Sequence, residues 1–167
     1  MVFGSNTPRC SITNNIFRNI KSRGISIEGD SPSFDIEVSD NQFFINQPTD
    51  VFRSMINTYT NLPSGATEQK LRVLRNRITY AKTANGGSGF DLTLLILSDH
   101  AQIIENEITG NEVRSGDYPV YAIGSNGGNA IGLTFARNKI HGSLVDLKGY
   151  RNTVLDSNDF SQVRNQE

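Results

Sequence analysis

Three acidic residues occupy positions where carboxyl chemistry could be done. Glu28, Asp91 and Asp146 each lie in or beside an apolar stretch, alternating with aliphatic side chains. Glycoside hydrolysis needs two carboxyl groups, about 5 to 5.5 Å apart for retention or about 6.5 to 9.5 Å for inversion. If these stretches stack as neighbouring strands, alternation puts Glu28 and Asp91 on one outward column, two strands and so roughly 9 to 10 Å apart, a spacing that admits inversion. Arg53, Thr93 and Lys148 share that outward phase with Ser26, Met55 and Ala122, and Tyr59, Tyr80, Tyr118 and Tyr121 lie in or next to the flanking segments. A floor of this kind suits a carbohydrate chain, whose hydroxyls meet charged groups and whose ring faces meet aromatics. The same set would serve elimination or epimerisation of an acidic glycan, with Arg53 or Lys148 neutralising a uronate and a tyrosine or histidine moving the proton. A third reading needs no chemistry: acids on an exposed sheet are solvated, and the strands form a structural or adhesion module.

Other constellations carry less. Cys10 is the single cysteine and the two histidines, His100 and His141, stand far from it, so an internal disulfide or a zinc set is excluded. Asp30, Asp35 and Asp40 are spaced like loop and strand-edge residues rather than converging on calcium. Asn85-Gly86-Gly87-Ser88-Gly89 lacks the Lys-Ser/Thr of a phosphate loop. No cofactor is expected. Asp99-His100 and His141-Gly142 read as turns, with Asp99 hydrogen-bonding nearby backbone.

What must position the candidates is a repeat. The pattern apolar, any, apolar, any, any, Asn, any, apolar recurs as Cys10-Ile12-Asn15-Phe17, Ile36-Val38-Asn41-Phe43, Leu71-Val73-Asn76-Ile78, Ala101-Ile103-Asn106-Ile108, Leu133-Phe135-Asn138-Ile140 and Thr153-Leu155-Asn158-Phe160. A constant core with variable spacing puts the insertions in loops. Alternation marks a strand with one buried face. The asparagine marks a sharp bend, since it tolerates the left-handed conformation. Stacked copies would bring the amides about 4.8 Å apart, close enough to form a ladder. Between these units lies a second apolar segment: residues 24–29, 51–56, 90–97, 120–124 and 144–149. Long segments at 57–69, 79–89 and 109–119 flank it and would wall a groove. After each ladder asparagine an outward residue reads Ile16, Gln42, Arg77, Glu107, Lys139 and Asp159, the last four alternating in sign as cross-strand pairs would. Glu37 and Arg72 face outward from adjacent coils in the same way.

A strand, a strand, an asparagine bend and a short third strand make one coil of a parallel solenoid. From Cys10 to Phe160 the repeat, as in Ile36-x-Val38-x-x-Asn41-x-Phe43, resembles that of the right-handed parallel β-helix superfamily of pectate lyases, polysaccharide lyases and epimerases, and phage tailspikes. The resemblance implies an all-β fold, a single-stranded right-handed parallel β-helix of about six coils with an asparagine ladder. It also implies polysaccharide as partner, an extracellular or virion-surface location and, for a tailspike-like chain, a homotrimer. Asp99-His100 is similar to the Asp-x-His element of alginate epimerases but lacks its intervening residue, and the lyases' arginine motif is not recognisable.

Composition agrees with many short strands and polar turns: 18 asparagines, 15 glycines and 36% hydrophobic residues in 167. A net charge of -1 argues against a chain built to neutralise nucleic-acid phosphates. The longest apolar run, Leu92 to Leu97, is far short of the roughly 20 residues of a spanning helix. Residues 1–167 read as one domain. With six coils and no amphipathic capping helix, it is expected to be a fragment, a repeat module, or a subunit whose ends are covered by other chains.

Overall fold

The computed structural model describes residues 2–3, 9–18, 20, 23–28, 33–45, 54–59, 68–80, 91–109, 120–124 and 129–160. Among them there are strands, turns and bends and no helix.

The chain runs through three sheets in rotation. The first circuit is β1 (Val2–Phe3), β2 (Arg9–Thr13) and β3 (Ile16–Arg18), and the second is β4 (Arg23–Glu28), β5 (Ser33–Ser39) and β6 (Gln42–Ile45). The third is β7 (Ser54–Tyr59), β8 (Glu68–Leu74) and β9 (Arg77–Tyr80), and the fourth β10 (Asp91–Ile96), β11 (Gln102–Ile104) and β12 (Glu107–Thr109). The fifth adds a short strand, giving β13 (Val120–Gly124), β14 (Ala130–Ile131), β15 (Thr134–Ala136) and β16 (Lys139–His141). The sixth is β17 (Leu144–Val145), β18 (Tyr150–Arg151) and β19 (Val154–Asp156). Sheet 1 has the order β1-β4-β7-β10-β13-β17, sheet 2 runs β2-β5-β8-β11-β15-β19, sheet 3 runs β3-β6-β9-β12-β16, and β14 pairs with β18. Every pairing among the described strands is parallel.

The repeat sets the register. Ile12, Val38, Val73, Ile103, Phe135 and Leu155 form one column of sheet 2, and Phe17, Phe43, Ile78, Ile108 and Ile140 one column of sheet 3. Val38, Phe43, Val73, Ile78, Ile103, Ile108, Phe135 and Ile140 are all 0% exposed. The rings of Phe17 and Phe43 stack with centroids 4.6 Å apart. Interior packing at this density makes each such side chain worth roughly 2 to 5 kcal/mol against truncation.

Between sheets 2 and 3 the chain turns in two residues, and here the structure corrects the expectation about asparagine. The left-handed residue is the one before it: Asn14, Asp40, Arg75, Glu105, Arg137 and Ser157, with φ between 50° and 60°. Each amide following in the chain is therefore free to work between circuits. The Nδ2 of Asn41, Asn76 and Asn106 donates to the Oδ1 of the next circuit's asparagine at 3.0 to 3.1 Å, and to a carbonyl of the circuit before: Ile12, Val38 and Val73 respectively. The backbone N–H of each donates to that same Oδ1 at 2.9 to 3.1 Å. The column runs from Asn15 to Asn158, and its central members Asn41, Asn76, Asn106 and Asn138 are 1% exposed. Left-handed conformation costs a non-glycine residue about 1 to 2 kcal/mol. Two or three buried hydrogen bonds per corner, each worth about 1 kcal/mol, offset it.

Candidate functional site

The expected floor was the outward face of sheet 1, and that face is not open. Ser26 is 1% exposed, and Met55, Thr93 and Ala122 are 0% exposed, while their chain neighbours Ile25, Ile56, Leu94 and Ile123 are also at 0%. Successive side chains on a strand point to opposite faces, so at these central positions of β4, β7, β10 and β13 both faces of sheet 1 are out of solvent. Thr93 is core, not a surface hydroxyl. Some polar side chains on this sheet are engaged inside it: Asn57 Nδ2 donates to Ser26 Oγ at 3.2 Å, and Thr58 Oγ1 accepts from the backbone N–H of Leu97 at 3.0 Å.

Register separates the expected acid pair. Ile25 aligns with Ile56, and Ile56 with Leu94. Glu28 lies three residues after Ile25, and Asp91 lies three before Leu94, so they stand six positions apart along the strand direction. At about 3.3 Å per residue that is roughly 20 Å, beyond any hydrolase spacing, and the two do not share a column. Their side chains, like those of Tyr59, Tyr80 and Tyr121 on β7, β9 and β13, lie outside the described residues, as do Arg53 and Tyr118 altogether.

Asp146 is also placed differently. β17 ends at Val145, and Asp146 opens a turn in which its Oδ1 accepts the backbone N–H of Lys148 at 3.0 Å. The two were expected on one outward face of a strand; a short polar side chain able to accept from backbone two residues on favours the turn instead. Lys148 is exposed on that turn.

The described surface carries ion pairs that run from circuit to circuit. On sheet 2, Arg72 Nη2 approaches Asp35 Oδ1 at 2.7 Å, as an ion contact rather than an aligned hydrogen bond, and Arg72 Nε donates to Glu37 Oε2 at 3.3 Å. Ser39 Oγ donates to the other oxygen of Glu37 at 2.7 Å. At the corners Arg75 grips both oxygens of Asp40 at 2.8 Å, and Arg137 donates to Glu105 at 2.9 Å. The Arg75 hydrogen bond holds the Asp40 carboxyl below its ordinary range. On sheet 3, Gln42, Arg77, Glu107 and Lys139 align in register as expected, with Arg77 Nη2 3.6 Å from Glu107 Oε1. Carboxylates matched with arginines of the neighbouring circuit in this way suit the holding of register between circuits. Among the described residues no group of acids, histidines and cysteine could hold a metal ion. No described helix is long and apolar enough to cross a membrane.

Sequence reasoning missed a second row of left-handed corners, between sheets 1 and 2: His100 at φ 56°, Gly132 at 72° and Asn152 at 53°. The turn at Asp99-His100 is as expected, but Asp99 reaches across, its Oδ1 accepting the N–H of Ile131 in the next circuit at 2.8 Å. The signal was present in the shared spacing from each corner to the following ladder asparagine, six residues in all three circuits. Tyr150 is buried nearby; its hydroxyl donates to Gly124 O at 2.9 Å, and burial pushes its pKa up.

Compared with protein-family models, curated proteins and solved structures, the chain matches none.

Proposed function

We propose that the chain is a right-handed parallel β-helix module of an extracellular or virion-surface protein, and that it serves as a rigid, non-catalytic scaffold or adhesion element that engages polysaccharide along its polar faces. The observation that carries the reading is the register of sheet 1: Glu28 and Asp91 fall six positions apart, and Asp146 is engaged in a turn. The coil-to-coil ion pairs and the amide column support it, because they give a stack of short strands one fixed register. Right-handedness follows the rule that parallel strands joined by a crossover are right-handed in about 98% of cases. Sheet 2 supplies the glycan-facing surface of this reading, with Arg9, Ser11, Lys70 and Gln102 exposed in parallel rows.

The test is incubation with neutral and uronate-rich polysaccharides, read by affinity electrophoresis for binding and by reducing ends and unsaturated-uronate absorbance for cleavage. Retarded migration without cleavage is expected, weakened by Lys70→Ala. Turnover that is lost in Glu28→Gln or Asp91→Asn would overturn the scaffold reading in favour of hydrolysis or elimination, and no retardation with any glycan would remove the polysaccharide.

A further inference from the structure

The residues on either side of each central ladder asparagine carry the same charge, and the sign reverses from one circuit to the next: Arg75-Asn76-Arg77, Glu105-Asn106-Glu107, Arg137-Asn138-Lys139. The two flanks use that charge differently. On the corner side it is consumed within the protein, Arg75 giving two hydrogen bonds to Asp40 and Arg137 one to Glu105, at 2.8 to 2.9 Å. On the sheet 3 side it is not. Arg77 Nη2 stands 3.6 Å from Glu107 Oε1, beyond hydrogen-bond length, and Lys139 has no ion-pair partner among the described residues. The side chains of Arg77 and Glu107 are 62% and 42% exposed, and Lys139 is exposed as well.

Register sets these three in a row along the stack. Arg77 aligns with Glu107, and Glu107 with Lys139, so the two cations lie two circuits and roughly 9.5 Å apart with the carboxylate midway. The neighbouring outward column adds the ring of Phe44 and the hydroxyls of Thr79 and Thr109. An extended peptide lying along the row is out of step with it, because its same-face side chains recur at roughly 6.6 Å. An extended chain of pyranoses is in step. Each ring advances the chain by close to one strand spacing, so every second sugar meets a cation. Charge then selects which sugars alternate: Arg77 and Lys139 suit an anionic group, and Glu107 suits an uncharged sugar with hydroxyls to donate.

We propose that the outer face of sheet 3 is a binding track for an acidic polysaccharide that carries one anionic group on every second sugar. The strand lies along the stack, with its anionic groups at Arg77 and Lys139 and the neutral sugar between them at Glu107. The track rests on the reading of the chain as a polysaccharide-engaging module, and adds to it a face and a charge pattern in the glycan.

Isothermal titration calorimetry tests this on the intact chain with three hexasaccharides: hyaluronan, with a carboxylate on every second sugar, polygalacturonate, with one on each, and cellulose, with none. Hyaluronan is expected to bind tightest, and added salt to weaken it. Arg77→Ala and Lys139→Ala each lower its affinity about fivefold, the effect of one exposed charge pair, with an unchanged far-ultraviolet circular dichroism spectrum. Glu107→Gln narrows the gap between hyaluronan and polygalacturonate by about the same factor, which a purely structural Glu107 would not do. Lys70→Ala, on sheet 2, leaves the ranking as it is. Glycan binding that falls with Lys70→Ala and is unmoved by Arg77→Ala, Lys139→Ala and Glu107→Gln overturns the track and leaves the polysaccharide reading standing. Equal affinity for the three hexasaccharides, or a preference for polygalacturonate or cellulose, overturns the charge pattern and the track with it. Binding of none of them removes both the track and the reading it rests on.

Discussion

The imidazole of His100 fills the space a side chain at position 132 would need: a Cβ added to Gly132 comes 2.4 Å from His100 Nδ1. Gly132 is also left-handed, at φ 72°. Gly132→Ala therefore meets two penalties, about 1 to 2 kcal/mol for the backbone and more for the overlap with the ring. The two separate in a double-mutant cycle followed by thermal or urea denaturation. With His100→Ala in place, Gly132→Ala retains only the backbone cost, so the double variant is less destabilised than the sum of the two single variants. Strict additivity would mean that the ring does not constrain the corner.

The amide column makes a graded prediction. Asn106→Ala removes the acceptor of both Asn76 groups and the donor to Val73 O, leaving the buried N–H of Asn76 without its partner. At about 1 to 3 kcal/mol for that orphan and about 1 kcal/mol for each other bond lost, a loss of roughly 3 to 5 kcal/mol is expected. Asn15→Ala, at the solvated end of the same column, is expected to cost below about 1 kcal/mol. Equal losses at the two positions, measured by urea denaturation, would contradict the cumulative role of the buried members.

The Asp40 corner gives an acid limb. Its folded pKa is lowered, so the unfolded chain takes up the proton first as pH falls. The stabilising contribution is present above the unfolded carboxylate pKa of about 4 and is lost as pH drops through the folded one. Asp40→Asn should lower the melting temperature at neutral pH and flatten its decline below about pH 4. An unchanged slope would show that Arg75 does not hold the charge.

Tyr150 gives the opposite limb. Its folded pKa is raised, chiefly by burial, so the unfolded chain loses the phenolic proton first. Stability is present below the unfolded tyrosine pKa of about 10 and falls as pH rises beyond it. Tyr150→Phe should lose about 1 kcal/mol at neutral pH through the bond to Gly124 O, and show a shallower alkaline decline. Identical alkaline profiles for the two proteins would remove Tyr150 as the cause.

Sheets 2 and 3 were legible because each of their strands is tied to the next by a repeated constraint. Ile36, Val38, Asn41 and Phe43 recur at fixed offsets, and a slip of one residue would turn every apolar side chain to the wrong face. Sheet 1 was misread for a definite reason. Ile25-Ser26-Ile27 looks like a strand with one wet face, but Ser26 is paired with Asn57 and the face is dry. A polar residue satisfied by another polar residue leaves the same trace in sequence as one satisfied by water. The distance from a ladder asparagine to its sheet 1 strand also varies between circuits, so counting could not align Glu28 with Asp91; only the ladder pairing of Ile25, Ile56 and Leu94 does so. The corner conformation was assigned one residue late, because asparagine is known for tolerating positive φ and here does the hydrogen bonding instead.

That displacement by one residue has an evolutionary consequence. The corner position holds Asn, Asp, Arg, Glu, Arg and Ser in successive circuits, all in the same backbone conformation, so the joint specifies a geometry and leaves the side chain unspecified. The ladder asparagines lie 26, 35, 30, 32 and 20 residues apart and still meet their neighbours at 3.0 to 3.1 Å. A gene segment cut at two such corners and spliced in at a third would arrive with its amide donor and acceptor already in phase. Whole circuits can then be duplicated, deleted or exchanged between related genes, and length changes between corners are absorbed without disturbing the stack.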